Sequence, residues 1–246
     1  PPAVNTASNA ASTNKRIVER FPVLDAQKGQ GMEVRAGFLR SAGGVISLEL
    51  SVTNQSANPI GQFFLQFKQN YFKLAPANAE VPIKAVMPGQ TVEASVPCAA
   101  SNQQGPVALA IDVALKNNVG VYYMSVPFPL YVAFDENAPT QRAAYLDAWK
   151  TIEKESYKDI ANLFSSDLAA VQSRLEAYNV LFVAKRKGTD EFSEVYYMSV
   201  KLLDGTPILL ELAFAGSNCK LCTKTSVEGY VPFVEKSVER LLTLRS

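Results

Sequence analysis

Three cysteines are the side chains of this chain best suited to nucleophilic, redox or metal chemistry. Cys98 stands alone, whereas Cys219 and Cys222 have the spacing of half a zinc site or of a redox motif. No second pair completes four ligands, and an odd number of thiols without a visible secretory signal predicts reduced cytosolic cysteines. Apolar and polar residues alternate around the pair, which indicates a strand, and residues three apart on a strand point to opposite faces. The two sulfurs are therefore not expected to meet.

Histidine is absent from the 246 residues, and this absence limits the possible chemistry further. It removes Ser-His-Asp and Cys-His nucleophile systems, His-ligated zinc and the usual general base near neutral pH. We therefore expect no enzyme, no metal site and no cofactor. A formal charge of +1 gives no field that would attract nucleic acid. The one basic run, residues 185–187, is equally well explained as a solvated strand end.

The elements that position these side chains fall into two halves, and the first half predicts a β-sandwich. Residues 1–27 are rich in Ala, Asn, Pro, Ser and Thr, which predicts a flexible hinge end. From Met32 onward apolar residues recur at every second position, with Gly, Pro and Asn turns between the runs. This pattern predicts an antiparallel sandwich over residues 28–136. Its expected strands lie at 32–38, 46–52, 63–67, 92–96, 107–115, 121–126 and 130–134.

The second half, residues 137–246, predicts an α+β domain in which helices cover one face of a sheet. Helices are expected at 140–150, from Ser165 or Ser166 as the capping residue, and at 232–244. Strands are expected at 180–187, 194–203, 206–215 and 219–227. No stretch approaches the ~18 consecutive apolar residues of a membrane span, so we expect a soluble protein without direct membrane insertion.

The hairpin between the second and third of these strands has a register that the sequence constrains. A two-residue turn at Asp204-Gly205 would put the Glu211 carboxylate opposite Met198, in the apolar layer under the helices, at a high cost. A three-residue loop at Asp204–Thr206, or an equivalent bulge, brings the apolar rows of both strands to one face. Tyr197 and Glu211 then share the uncovered face, beside the helix that carries Trp149. Such a surface is a peptide-binding surface in outline.

Five short runs of this sequence resemble the beta-adaptin appendage family. They keep the family's order and spacing, and the similarity covers roughly residues 30–246. The resemblance implies an immunoglobulin-like sandwich followed by a helix-flanked platform, in agreement with the two halves above. The five runs are Lys116–Tyr123, Ala148–Lys150, Val183–Arg186, Tyr197–Lys201, and Asp204-Gly205 followed by Leu210–Leu212.

The resemblance implies two peptide-binding sites. On the platform, partner peptides would bind around an exposed tryptophan, at positions matched by Trp149, Lys150, Arg186, Tyr197 and Glu211. On the sandwich, a second site would centre on a tyrosine, matched by Tyr123 with Asp112, Ala114 and Lys116 nearby.

Two departures from the family pattern stand close to these sites. Asp112 stands where relatives often carry a neutral amide, so the ligand preference of the sandwich site is open. Pro207 replaces a large apolar residue, which suggests an edge or a bulge in that strand.

Each candidate residue also has an ordinary structural explanation. Trp149 could be a core residue, Tyr123 a half-buried strand tyrosine, and Arg186 and Glu211 could form an ion pair with each other. The run Phe21–Asp25 resembles the clathrin-binding box of adaptor hinges, but Phe21 replaces the usual Leu and Pro22 interrupts it.

The function implied by the resemblance is peptide capture by the beta subunit of a clathrin adaptor. Expected partners are motif-bearing endocytic or sorting accessory proteins, cargo adaptors and clathrin, with other adaptor subunits joined through a missing N-terminal trunk. The expected location is cytoplasmic, on coated pits and vesicles at the plasma membrane or at the trans-Golgi network and endosomes. The alternatives are the related appendage of a COPI-type coat, a nucleic-acid-binding sheet and an enzyme.

Overall fold

The alternating apolar residues of the N-terminal half form a two-sheet sandwich in the computed structural model, which describes residues 16–245 apart from 104, 106, 107 and 190. One sheet has the strand order β1-β2-β3-β8-β6 and the other β10-β9-β5, with β4 and β7 forming a small ribbon. The strands are β1 (Phe21–Leu24), β2 (Met32–Arg40), β3 (Ile46–Asn54), β4 (Ile60–Gly61), β5 (Phe64–Phe67), β6 (Leu74–Pro76), β7 (Ala85–Val86), β8 (Thr91–Ala100), β9 (Ala110–Lys116) and β10 (Val121–Pro127).

The core of the sandwich contains the inward row of each strand. Met32, Leu48, Ile111 and Leu115 are among its fully buried side chains, and the residues between them along each strand face outward. Burial of one row per strand is what the period-two pattern predicts. The predicted strand at 107–115 begins at Ala110, and Val107 lies outside the described residues.

The segment before Met32 differs from the flexible hinge end predicted for it. Phe21–Leu24 pairs with β2 as the outermost strand of its sheet, so this apolar run is part of the sandwich. Glu19 accepts hydrogen bonds from Tyr131 and from the Arg240 Nε, the latter at 2.7 Å. Arg16 donates to main-chain carbonyls in both halves of the chain. Residues 16–24 therefore join the two halves, and residues 1–15 of the predicted hinge lie outside the described residues.

The connection between the halves is a short 3-10 helix, Leu130–Ala133, where the sequence predicts a strand. All four of its residues are buried, so the apolar run reflects burial on every side rather than one face of a strand. Phe134 then forms a bridge with Leu202, and the Asn179 side-chain amide donates to the Phe134 carbonyl at 2.7 Å. These contacts fix the sandwich against the second half.

The second half is a five-stranded antiparallel sheet with helices. The sheet has the order β11-β15-β14-β13-β12. With the sandwich before it, this architecture confirms the predicted fold class. The elements are α1 (Arg142–Thr151), β11 (Glu155–Ile160), α2 (Leu168–Ala177), β12 (Leu181–Lys187), β13 (Glu194–Lys201), β14 (Pro207–Ala215), β15 (Asn218–Thr225), a 3-10 turn at Glu228–Tyr230 and α3 (Val231–Thr243).

Helices α2 and α3 cover the apolar face of this sheet. Val171 and Leu175 of α2 and Val234, Val238 and Leu241 of α3 are buried against it. Neither serine predicted to cap α2 does so, because Asp167 occupies the cap and its carboxylate accepts the N–H of Ala169. The sequence missed β11, in which polar residues outnumber apolar ones as expected for an outer strand.

The β13–β14 hairpin has the predicted faces and a different loop. Tyr197 pairs directly with Glu211, and Met198 pairs with Leu210 inside the apolar layer. The predicted loop at Asp204–Thr206 is wrong, because the Leu202 N–H donates to the Thr206 carbonyl and the three loop residues are 203–205. Gly205 takes the left-handed conformation that such a loop requires.

Pro207 lies in neither an edge strand nor a bulge. It is the first residue of β14, the central strand of the sheet, and the pairing of β14 with β13 is regular. The first position of a strand tolerates a missing N–H, so the substitution is accommodated without changing the register.

Candidate functional site

Helix α1 packs on the face of the platform sheet opposite α2 and α3. The sequence predicts that this face is uncovered, but α1 covers part of it, including Ser199, Leu209 and Lys224, which are buried. Tyr145 lies at the centre of the contact, and its hydroxyl donates to the Leu210 carbonyl at 2.9 Å. Burial raises the pKa of Tyr145, which keeps this hydroxyl a neutral donor.

Trp149 belongs to a cluster of three aromatic rings at the edge of this contact. It is one turn after Tyr145 in α1, and the two rings stack with centroids 5.6 Å apart. The Tyr197 ring from β13 meets both edge to face, at 5.8 Å from Tyr145 and 6.3 Å from Trp149. Trp149 and Tyr197 are half-buried, so each ring is held on one side and open to solvent on the other.

Lys224 lies behind the tryptophan, and nothing in the sequence singled it out. Its ammonium donates to the carbonyls of Trp149 and Ile152 at 3.1 Å each, and it pairs with Glu155 at 2.7 Å. The same Nζ lies 4.7 Å from the centroid of the Trp149 ring. The lysine thus satisfies carbonyls at the end of α1, where a positive charge is favourable, and supports the ring from below. The alternating pattern of β15 predicts which face of the sheet Lys224 lies on, but it does not predict that α1 covers this part of the face.

Arg186 and Glu211 flank the aromatic cluster on the open part of the sheet. The Arg186 Nε donates to the Tyr197 hydroxyl at 2.8 Å, and this hydrogen bond raises the pKa of the guanidinium. Arg186 and Glu211 form no ion pair with each other in the described part of the chain. Both line a groove of about 240 Å³ whose other lining residues are Tyr157, Thr189, Phe192, Val195, Ala213, Lys220 and Cys222.

Lys150 completes the set predicted for the platform. It is exposed in the last turn of α1, where a cation complements the helix dipole. Trp149, Lys150, Arg186, Tyr197 and Glu211 are called the platform surface below.

The sandwich candidates lie together on the outer face of the β10-β9-β5 sheet. Tyr123 pairs with Ala114, as a four-residue Asn117–Gly120 loop predicts, and Ala114 pairs with Gln66 on β5. The small alanine leaves the tyrosine 80% exposed. A shallow cavity of about 650 Å³ lies beside it, lined by Gln66, Phe67, Lys68, Asp112, Val113, Ala114, Tyr123, Met124 and Ser125.

The charges around Tyr123 differ at the two ends of this face. Asp112 pairs with Lys68 at 3.5 Å, and both side chains are mostly exposed. Lys116 lies at the other end, between Phe64 and Val121 in the cross-strand row, and forms no ion pair with any described residue. Tyr123, Lys116, Ala114 and Asp112 are called the sandwich surface below.

The cysteines occupy sites that disfavour thiolate chemistry. Cys219 faces the apolar layer and Cys222 the opposite face beside Glu211, so the prediction that the two sulfurs do not meet is confirmed. Burial raises the pKa of Cys98 and Cys219 to about 12 and that of Cys222 to about 11. Within the described residues, no three His, Cys, Asp or Glu side chains converge as a metal site needs, and no helix is long and apolar enough to cross a bilayer.

Comparisons with known proteins agree with the resemblance found in the sequence. Residues 135–242 match the family model described as "Beta2-adaptin appendage, C-terminal sub-domain". The chain is 36% identical over 203 residues to the AP-1 complex subunit beta-1 of Rattus norvegicus, covering 79% of this chain and 20% of that protein. It is 26% identical over 233 residues to the AP-1 complex subunit beta of Dictyostelium discoideum, covering 92% of this chain and 24% of that protein. The chain thus spans between a fifth and a quarter of the length of these relatives.

Proposed function

Residues 135–242 belong to the beta-adaptin appendage family, and from that membership we propose that this chain is a non-catalytic module that captures short peptide motifs during clathrin-coat assembly. Peptides would bind to the platform surface and, separately, to the sandwich surface. The proposed domains are a sandwich at 28–136 and a platform at 137–246.

The observation that carries the proposal is the state of the single tryptophan. Trp149 is half-exposed, although a lone tryptophan would be expected in the core. Its ring is fixed by Tyr145, Tyr197 and the Lys224 ammonium, so little freedom remains to be lost when a ligand packs on the open side. Rigid aromatic residues in partly desolvated sites are the side chains that dominate binding energies.

The charges beside Trp149 specify the kind of peptide. Arg186 and Lys150 offer two cations, and Glu211 offers one carboxylate that pairs with neither of them in the described part of the chain. A peptide with an apolar anchor for the aromatic cluster, a basic residue towards Glu211 and an acidic residue towards Arg186 would complement this surface. No part of the arrangement requires a cofactor.

Weak binding at each surface fits the role of a coat adaptor. Motifs repeated along a disordered partner raise the effective concentration of the second contact, so that two weak sites together hold a partner firmly. The proposed partners are endocytic or sorting accessory proteins, cargo adaptors and clathrin, with other adaptor subunits reached through parts of a longer protein. The proposed location is the cytoplasmic surface of coated pits and vesicles. The AP-1 beta relatives favour this assignment over a COPI-type coat.

A comparative pull-down from cytosol tests the proposal. The whole chain, its Trp149→Ala variant and a Leu146→Ala control are immobilised, and bound proteins are identified by mass spectrometry. Leu146 is an exposed residue of the same helix and is not one of the three rings of the aromatic cluster, so the control removes apolar surface and keeps all three rings. The proposal expects endocytic or sorting proteins with the wild type and the control, and their loss with Trp149→Ala. Capture of COPI-type coat proteins, capture of nucleic acid, or capture of the same set of proteins by all three chains would contradict it.

A further inference from the structure

Strand β10 leaves one of its two edges open. It is the outermost strand of its sheet and pairs with β9 alone. Strand β1 of the other sheet lies close to β10, but no described residue hydrogen-bonds to the second edge of β10. Its seven residues, Val121–Pro127, carry no charge, and its pairing with β9 runs without a bulge. An open edge of this kind is a template for another strand.

The backbone groups on the open edge can be identified from the ladder. The Asn117 N–H donates to the Gly120 carbonyl at 2.9 Å, so this pair is hydrogen-bonded, and hydrogen-bonded pairs alternate along an antiparallel ladder. The N–H and C=O groups of Val121, Tyr123 and Ser125 therefore point away from β9. The neighbouring ladder agrees, because Asp112, opposite Ser125, directs its carbonyl to the Lys68 N–H on β5 at 2.9 Å.

Three other outer strands of the molecule, β5, β1 and β12, are protected, in contrast to β10. The far side of β5 is occupied, since the Leu65 N–H donates to the Ala79 carbonyl at 2.7 Å. Strand β1 contains Pro22 and an irregular register, and β12 ends in the charged run 185–187 after its own register shift. Prolines, bulges and charges are the usual devices that block edge pairing. In β10 only Pro127 is such a device, and it stands at the last position.

We propose that a partner peptide binds the sandwich by adding as an extended strand along the open edge of β10. Backbone hydrogen bonds to Tyr123 and Ser125 would hold the peptide, and alternate peptide side chains would lie beside Tyr123 on the outer face. This inference rests on the proposed sandwich surface and states how that surface recognises its ligand.

The chemistry of the edge specifies the peptide. Because β10 is uncharged, the pairing stretch of the partner is uncharged as well. Lys116, which pairs with Val121 at the start of β10 and has no ion partner among the described residues, calls for an acidic residue at that end of the peptide. A second copy of this chain fits less well, because one strand about 23 Å long provides far less than the ~1,200 Å² that a stable protein interface buries.

Ser125→Pro tests the proposal with little disturbance of the fold. The substitution removes one N–H from the open edge and leaves the ladder to β9 complete, at a position equivalent to that of Pro127. The probe is the tightest peptide that a random display library yields against the whole chain and that Tyr123→Ala no longer binds. We expect Ser125→Pro to weaken this peptide about ten-fold or more, and to weaken it far more than Ser125→Ala, which changes the same side chain and keeps the N–H. Thermal unfolding of both variants checks that the fold is retained.

N-methylation of the probe supplies a second readout that does not depend on the variant. Strand addition predicts an alternation along the peptide. N-methylation at every second residue, whose N–H bonds to β10, weakens binding, and N-methylation at the residues between these leaves the affinity unchanged. Unchanged affinity with Ser125→Pro, or no alternation with N-methylation, would overturn strand addition. If sedimentation experiments show a dimer of the wild-type chain and Ser125→Pro is monomeric, the occupant of the edge is a second copy of this chain, and the proposal of a partner peptide is wrong. A library that yields no Tyr123-dependent peptide would instead remove the sandwich surface itself from the proposed function.

Discussion

The platform surface and the sandwich surface present their central aromatic residue in opposite ways. Trp149 is half-buried between two other rings, above a lysine that is itself buried. Tyr123 is 80% exposed, and its ring contacts no other aromatic ring among the described residues. The first surface is built by a helix packed on a sheet, and the second by side chains standing on a flat sheet beside an open edge.

This contrast separates two strategies of weak recognition. A ring that is already fixed loses little entropy on binding, so the platform surface concentrates its binding energy in a few side chains. The exposed Tyr123 ring contributes less binding energy, so we expect the sandwich surface to depend on backbone hydrogen bonds along β10. Apart from the loss of Tyr123 itself, side-chain substitutions should therefore have larger effects on the platform surface than on the sandwich surface.

The largest effect is expected from Trp149→Ala. Loss of the central ring removes the anchor of the platform surface and should cost more than ~2 kcal/mol, which is about 30-fold in affinity. Calorimetric titration with a platform peptide measures the loss, and a sandwich peptide serves as the internal control because its affinity should not change. A variant that unfolds without a separate binding defect would show that Trp149 is a core residue.

Lys224→Met removes the ammonium group behind the Trp149 ring and keeps the ring itself. Without its ammonium the carbonyls at the end of α1 lose their donor, and Trp149 gains freedom. We expect about ten-fold weaker platform binding and a free energy of unfolding lower by about 1–3 kcal/mol. As the only tryptophan, Trp149 reports its own environment by fluorescence, which should change in this variant and not in the exposed control Lys236→Met. Unchanged fluorescence and affinity would contradict the positioning role.

The pH dependence of stability tests the same contact. The hydrogen bond from Lys224 lowers the pKa of Glu155 in the folded chain. A carboxyl with a lowered folded pKa contributes stability above its unfolded pKa of about 4.3, and the contribution is lost as the pH falls through the folded value. Denaturant titrations from pH 6 to pH 3 should therefore show a smaller acid-induced loss of stability in Lys224→Met than in wild type. If the free energy of unfolding falls equally with pH in both chains, the Lys224–Glu155 pair makes no net contribution to stability.

Glu211→Lys tests the charge beside the aromatic cluster. Reversal of this charge should weaken platform peptides that carry a basic residue about ten-fold, and the effect should shrink in high salt. Glu33→Lys on β2 changes the net charge equally at a distance from both surfaces and is the matched control. If neither variant alters any platform peptide, Glu211 is not part of the binding surface.

Asp112→Asn should have the smallest effect. Its ion pair with Lys68 is exposed, and such pairs contribute only ~0–1 kcal/mol, so the affinity of a sandwich peptide should change less than about five-fold. The expected consequence is a changed preference, with basic peptides weakened and acidic ones strengthened. A double-mutant cycle with Lys68→Met measures the coupling, and a coupling well above 1 kcal/mol would show that the pair organises the site.

Sequence reasoning recovered the features that depend on local pattern. The rows of β13 and β14 had to share the buried face because the alternative buries the Glu211 carboxylate, and this argument gave the correct faces without the structure. The loop itself could not be predicted in the same way. Leu202 also pairs with Phe134 at the junction, a contact between distant parts of the chain, and the loop begins after it.

Features that depend on long-range packing were missed. The alternation of β15 assigns Lys224 to the open face, but only the position of α1 decides that this part of the face is covered. The apolar run Phe21–Leu24 stood out from the linker composition before Met32, but a run of four residues that contains Pro22 did not predict a strand. The Arg240 that binds Glu19 is remote in sequence. Residues that act through distant partners leave little local signal.

The most direct test of two separate surfaces is a competition titration on the intact chain with two labelled peptides. One peptide is chosen because it requires Trp149, and the other because it requires Tyr123. We expect each peptide to bind with unchanged affinity when the other is present at saturation, since Tyr123 lies on strand β10 of the sandwich and Trp149 on helix α1 of the platform. Mutual displacement of the two peptides would contradict it and would mean that the chain has one binding site.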